Sequence, residues 1–257
     1  MPAPIGLEIL QPASAVVIDF PRQPVTVDLP KRVEVPRPAV AEEAPVAESV
    51  RRDRAYATAK RAIDIAGALF LLAFLVPLFA IVAAAIALDS RGPVFYRAER
   101  VGLRGRRFRV VKFRSMRAGA DYSAHARFIT GLMRGEQTCA VYKVPDDERV
   151  TRAGAFIRRT SIDELPQLWN VLRGEMSLVG PRPDVPYAAN AYEPWMRKRL
   201  LAKPGMTGLW QVSGRSRLSL LDMYRLDATY AETACLGADL RILALTIPAV
   251  LRAEGAA

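Results

Sequence analysis

A chain of 257 residues with 37 Lys and Arg against 26 Asp and Glu has the length for one sizeable core. Its net charge of +11 points to an anionic partner: nucleic acid, a phosphorylated substrate or a lipid surface. The two cysteines, Cys139 and Cys235, are far apart and suggest no disulfide framework or zinc site, and no nucleophile motif surrounds the single histidine, His125, which therefore reads as a surface or capping residue.

Nine of the nineteen prolines fall in residues 1–50, mixed with Glu, Val and Ala and lacking helical or strand periodicity. That composition predicts a disordered tail with extended pieces, and no basic stretch followed by an apolar one marks it as a secretory signal. Then "IAGALFLLAFLVPLFAIVAAAIAL", Ile65 to Leu88, runs for 24 residues without a charge. This could span a bilayer core, which needs ~20 helical residues. Pro77 falls near its middle, and Arg or Lys clusters flank both sides: Arg51, Arg52, Arg54, Lys60 and Arg61 before, Arg91 through Arg114 after. Positive charge on both flanks places both on the cytosolic side, so the expectation is a helix broken at Pro77 that enters and leaves by one leaflet; a single kinked transmembrane helix is the alternative.

Two strand-like runs follow, Val94 to Arg100 and Phe108 to Arg114, joined by a turn around Gly102 and Gly105. By period two, Phe108, Val110, Lys112 and Arg114 share a face, so an apolar base could hold Lys112 and Arg114 toward a ligand. A basic edge facing anionic headgroups is the alternative. Ala124 to Arg134 is amphipathic and helical, and Asp146 and Asp147 beyond it lack the spacing of a metal-binding pair and read as a solvated loop.

In "SIDELPQLWN", Ser161 to Asn170, two acids stand side by side. Ser161 with Glu164 matches the S-x-x-E capping box, whereas Asp163 as N-cap leaves Pro166 inside the first turn, where its missing N–H does no harm. Either arrangement sets both acids at a helix N-terminus, which predicts an ionised Asp163 with a lowered pKa and an end able to receive an anion. Next, "LRGEMSLVGPRPDVP" clamps Arg182 between two prolines, a fork of donors suited to phosphate. "KPGMTGLWQVSGRS" then combines Gly205, Gly208 and Gly214 with Gln211 and Arg215, either a ligand loop or a structural turn.

Taken together, "KRAID", the proline-broken apolar segment, "GPVFYRAERVG", "VVKFRSM", "RVTRAGAFIRRTSIDELPQLWNVLRGEMSLVGPRP" and "KPGMTGLWQVSGRS" resemble the bacterial sugar transferases, monotopic phosphoglycosyl transferases that act on polyprenyl phosphate, from Lys60 to about Ala253. The compact, exopolysaccharide-initiating type is the nearest match. One stretch, "YAETACLGADLRI", departs from the family's aromatic and polar run before the Asp-Leu step. The resemblance implies that Asp163 attacks the sugar-linked phosphate of a UDP-sugar and carries the phosphosugar covalently, that Glu164 binds Mg²⁺, and that polyprenyl (undecaprenyl) phosphate then accepts the phosphosugar. Neighbours on a helix diverge by ~100°, so two adjacent acids suit two different roles. Lys112, Arg114, Arg182, Gln211 and Arg215 are the candidates for holding substrate.

The expected architecture is a mostly helical α+β monotopic membrane protein: a disordered tail over 1–50, a re-entrant hairpin over 51–90, and a cytosolic catalytic domain over 91–257 with a small β-hairpin and amphipathic interfacial helices. The implied location is the inner leaflet of the bacterial cytoplasmic membrane, with the transferred hexose inclined toward galactose or glucose 1-phosphate. Apolar helix faces leave open packing on lipid or on a second copy. The rival is a non-enzymatic adaptor on acidic lipid, with the acids only capping a helix. Nucleic-acid binding explains the charge but not the uncharged segment.

Overall fold

The apolar segment forms two helices, not one. In the computed structural model, which describes residues 17–18, 25–26, 46–117, 149–214 and 218–251, α1 (Val46–Phe74) and α2 (Val76–Asp89) meet with a bend of 61°. The break lies at Leu75, two residues before the expected Pro77. Pro77 instead occupies the first turn of α2, where it needs no donor; its missing N–H interrupts the ladder toward the preceding turn, so the chain bends ahead of the ring. No single helix among the described residues is long and apolar enough to cross a membrane. The bent pair exposes Leu69, Phe70, Phe74, Val76 and Ile81, while Ala68, Val82 and Ile86 pack against the rest of the protein.

Both ends of this pair are fastened to the same body. On α1, Arg61 donates to the carbonyls of Val171 and Leu172 (both 2.6 Å), and the buried Asp64 accepts from the Ser177 hydroxyl and the Leu178 N–H (both 2.9 Å). At the far end of α2, Asp89 accepts from the Ala153 N–H at 2.9 Å.

Short strands β1 (Val17–Ile18) and β2 (Val25–Thr26) pair antiparallel within the Pro-rich tail, most of which lies outside the described residues. The expected hairpin forms from β3 (Phe95–Val101) and β4 (Arg107–Phe113), in register from Phe95↔Phe113 to Val101↔Arg107. Its turn needs the left-handed conformation at Arg104 and Gly105, the second of which is a glycine suited to it. The amphipathic Ala124–Arg134 stretch, His125, Cys139, Asp146 and Asp147 lie outside the described residues.

Beyond them run α3 (Arg152–Arg159), a 3₁₀ turn over Ile162–Gln167, α4 (Leu168–Arg173), β5 (Ser177–Val179), α5 (Pro186–Asn190), a second 3₁₀ turn over Met196–Leu201, β6 (Gly205–Thr207), α6 (Leu209–Ser213), α7 (Leu220–Thr233) and α8 (Leu236–Leu251). The core draws Ala68 from α1, Ala98 and Val110 from the hairpin, Leu168 and Val171 from α4, and Tyr230 and Ile242 from the last two helices. Burying an aliphatic side chain of this kind contributes about 1.5–3 kcal/mol. The fold is mostly helical with small two-stranded sheets.

Strands β5 and β6 pair in parallel, Ser177↔Gly205 and Val179↔Thr207. Their backbones pass so closely that a Cβ on Gly205 would lie 2.0 Å from the Gly180 nitrogen, and one on Gly208 would lie 2.4 Å from the Gly180 oxygen. Of the two explanations for these glycines, close packing accounts for Gly205 and Gly208: they press the KPGMTG loop against the GPRP loop. On α8, Leu240, Leu245, Ile247 and Val250 remain exposed, while Asp239 pairs with Lys60 of α1 at 2.8 Å and accepts from Tyr230 and Tyr56. The C-terminal stretch that departs from the family pattern is thus tied to the root of the apolar hairpin.

Candidate active site

Neither capping arrangement forms at "SIDELPQLWN". Ser161 takes a left-handed conformation (φ 59°) and makes no side-chain cap; its carbonyl, not its hydroxyl, receives the Glu164 N–H at 3.2 Å. Asp163 lies within the 3₁₀ turn instead of capping it. The reason is local: α3 closes on its C-cap Thr160, and Ser161 alone separates that cap from the 3₁₀ turn, so it takes a left-handed backbone costing about 1–3 kcal/mol. The helix that follows is pinned by Asn170, whose side chain accepts from the Val111 N–H (3.0 Å) and donates to the Arg109 carbonyl (2.8 Å). That clamp fixes β4 against the turn, so Lys112 faces Glu164.

The consequence is a charge cluster around one carboxylate. Lys112 Nζ donates to Glu164 Oε1 at 2.8 Å; the Arg182 fork donates to Oε1 at 2.5 Å and to Oε2 at 2.9 Å. Burial pushes Glu164 up, but Arg182 and Lys112 together hold its carboxyl well below the usual carboxylate range. Asp163 differs. Among the described residues its carboxylate accepts no hydrogen bond, and it moves opposite to the expected lowering: burial raises its pKa, Lys112 opposes, and the neighbouring Glu164 charge adds to the rise. A six-residue 3₁₀ turn does not supply the dipole of a full helix, so desolvation wins.

Arg182 is held by a network that sequence reasoning missed. The buried Arg199 donates to the Arg182 carbonyl at 2.8 Å, to Asp227 Oδ2 at 2.5 and 3.2 Å, to Asp184 Oδ2 at 3.2 Å, and to the Tyr192 hydroxyl. Tyr192 and Tyr224 also donate to Asp184, at 2.8 and 2.5 Å, and the Arg199 guanidinium stands 4.5 Å from the Tyr224 ring centre. Burial pushes Asp227 up to about 6 against the pull of Arg199. A signal existed: Tyr192, Met196 and Arg199 fall at helical spacing on a buried stripe, as do Met223, Tyr224 and Asp227, and a charge on such a stripe needs a partner.

The remaining sequence candidates separate. Arg114 does not join Lys112: β4 ends at Phe113, and Arg114 turns away, buried, to donate to the Ser90 carbonyl (2.6 Å), the Ser90 hydroxyl (3.0 Å) and the Ile86 carbonyl (3.3 Å), closing the C-terminus of α2. Gln211 donates to the Met206 carbonyl at 3.0 Å within its own loop. Arg215 lies outside the described residues. The structure therefore unites Lys112, Asp163, Glu164 and Arg182 and separates Arg114.

The family model of the bacterial sugar transferases matches residues 55–253. The chain belongs to that family. Among its curated sugar-transferase relatives, the UDP-galactose-lipid carrier transferase of Erwinia amylovora is 43% identical over 197 residues, covering 77% of this chain and 41% of the relative. The exopolysaccharide production protein ExoY of Sinorhizobium fredii is 39% identical, covering 76% of this chain and 87% of the relative. For the UDP-glucose:undecaprenyl-phosphate glucose-1-phosphate transferase of Caulobacter vibrioides the identity is 40%, covering 77% and 71%. The chain spans about two-fifths of the length of the Erwinia relative. The matched span begins on α1 and ends beyond α8, so the bend at Leu75 and the Asp163–Glu164 pair both fall within it.

Proposed function

We propose that this chain transfers a hexose 1-phosphate from a UDP-sugar to undecaprenyl phosphate, through a phosphosugar held covalently on Asp163, as a first step of exopolysaccharide or other glycan assembly. One observation carries the reading: Asp163, a carboxylate that accepts no hydrogen bond among the described residues, stands beside Glu164, a carboxylate clamped by two cations. Among the described residues neither acid accepts from a backbone N–H, as the side chain of a helix cap would. The names of the relatives support the substrate classes: one transfers glucose 1-phosphate from UDP-glucose to undecaprenyl phosphate, and another is named for UDP-galactose and a lipid carrier.

In the first step an Asp163 oxygen attacks the phosphorus that bears the sugar, the bond from that phosphorus to the bridging oxygen breaks, and UMP leaves with the electron pair. In the second step an oxygen of the lipid phosphate attacks the same phosphorus and the Asp163 carboxylate departs. Lys112 and Arg182 turn toward the diphosphate to neutralise the charge on the leaving group. Burial raises the basicity of Asp163, which strengthens it as a nucleophile once ionised.

Mg²⁺ fits this donor set in one form. No group of three or more His, Cys, Asp or Glu side chains gathers among the described residues, but Glu164 Oε2 accepts only from Arg182 and keeps a lone pair for a hard cation. Glu164 would hold the ion, and phosphate oxygens and water would complete its shell. When bound, it supplies charge neutralisation at the diphosphate.

The bent pair, anchored at both ends to one body, supports a re-entrant hairpin in the cytosolic leaflet of the bacterial inner membrane, with the exposed face of α8 resting at the interface. That placement lets a soluble donor and a lipid acceptor reach one site.

The test is a reaction without acceptor. Wild type with Mg²⁺ and a panel of UDP-sugars should release at most one equivalent of UMP with the correct sugar and add the mass of a phosphosugar to the peptide containing Asp163. Asp163→Asn should keep its fold and lose both signals. Near-normal transfer by Asp163→Asn, with no adduct in wild type, would show direct attack by the lipid phosphate.

A further inference from the structure

The site gathers more positive charge than its two carboxylates answer. Lys112 and Arg182 meet at Glu164, and Arg158 bears on Asp163. A further cation, Arg100, has no carboxylate partner among the described residues. On β3, Tyr96, Ala98 and Arg100 share a face, and Tyr96 is the cross-strand partner of Lys112, so Arg100 lies on the same side of the hairpin as the Lys112 ammonium. The Val101 N–H donates to the Asp184 carbonyl at 2.9 Å, which lays the Asp184 end of the loop that carries Arg182 along the end of β3, near enough for the Arg182 charge to act on Arg100.

Arg100 is half-buried, and among the described residues its guanidinium donates only to the carbonyl of its neighbour Glu99, at 2.8 Å. Burial, and next the charge of Arg182, lower it from the usual arginine range; Asp184 pulls the other way, followed by Tyr96 and Tyr187. Asp184 is already taken up by Arg199, Tyr192, Tyr224 and the Val185 N–H. Two adjacent guanidiniums, one of them short of acceptors, are stabilised by an anion placed between them.

We propose that Arg100 is a second phosphate-binding guanidinium, closing with Arg182 on the oxygens of one phosphate group at this site. The inference rests on the sugar-phosphate transfer reading for its ligand, and that phosphate belongs to either the UDP-sugar or the lipid acceptor.

The full-length chain, Arg100→Gln and Arg100→Lys are compared in one detergent by three measurements. In the first, pyrophosphate without metal should raise the thermal midpoint of wild type, and Arg100→Gln should need about tenfold more pyrophosphate for the same shift while melting normally without it. In the second and third, KM for the UDP-sugar in the UMP-release step and KM for undecaprenyl phosphate in the full reaction are measured separately. A rise of about tenfold in the first KM assigns the phosphate to the donor and in the second to the lipid, with Arg100→Lys recovering some of either loss. Arg100→Gln matching wild type in all three measurements, or wild type unprotected by pyrophosphate, overturns the proposal. A wild type that is protected by pyrophosphate yet releases no UMP from any UDP-sugar counts against the transfer reading instead, and the pyrophosphate comparison then decides Arg100.

Discussion

At the residue scale, Asp163 and Glu164 occupy consecutive positions and are driven in opposite directions. Glu164 gains three charge-assisted hydrogen bonds; among the described residues Asp163 gains none, and it is desolvated beside a negative neighbour. The signs of two substitutions follow. Lys112 lowers Asp163, so Lys112→Met should move its titration to higher pH. Glu164→Gln removes a raising charge and frees Lys112 and Arg182 to act on Asp163, so it should move the titration to lower pH. Following the carboxyl carbon of Asp163 by ¹³C NMR in the metal-free chain checks both, and equal titrations in the three proteins would contradict the arrangement. In stability terms the depressed Glu164 contributes above the ordinary glutamate pKa of ~4.3, and that contribution is lost as pH falls through its lower folded value. Wild type should therefore lose its stability margin over Glu164→Gln below about pH 4, measured by thermal midpoints across pH.

At the element scale, the loop bearing Arg182 is aimed from behind by two helical elements. Arg199 comes from the 3₁₀ turn Met196–Leu201 and Asp227 from α7, and their pairing presses those elements together while Arg199 holds the Arg182 carbonyl. Arg199→Ala leaves Asp227 buried without its cation and should cost about 3–5 kcal/mol, read as a large fall in thermal midpoint. Tyr224→Phe removes one donor to Asp184 and should cost about 1 kcal/mol, leaving a folded chain whose activity falls through KM more than kcat if the network positions Arg182 for binding. The network was legible only as an anomaly, a charge on an apolar stripe. Nothing in the spacing told Arg199 that its partners would be Asp227, 28 residues on, and Asp184.

At the scale of the whole molecule, the bent helix pair is framed by attachments that return to one body: Arg61 to the end of α4, Lys60 to Asp239, Arg114 to Ser90. A spanning helix would have to break some of these attachments. In intact cells, cysteines placed at Ala57 and Arg91, with Cys139 and Cys235 replaced by Ser, should both resist a membrane-impermeant thiol reagent added from the periplasm and react once the inner membrane is opened. Periplasmic labelling of either position would rule out the hairpin.

The sequence by itself determined the apolar segment and its two basic flanks, the β-hairpin within one residue at each end, and the adjacency of Asp163 and Glu164. These features are local: an uncharged run, period-two alternation with glycine at the turn, and a covalent neighbour relation survive any tertiary arrangement. Tertiary structure decided which cations serve the acids. Lys112 and Arg114 look equivalent in the strand pattern, yet the strand ends between them, and only Lys112 reaches Glu164, 52 residues away. It also reversed the expected pKa of Asp163, because the turn is too short to act as a helix terminus and packing desolvates the carboxyl. It moved the break from Pro77 to Leu75, and through a bridge from Val101 to Asp184 it brought the loop that carries Arg182 to the end of the strand that carries Arg100. Burial and charge proximity are sums over residues distant in the chain, so they take definite values only once the chain has folded.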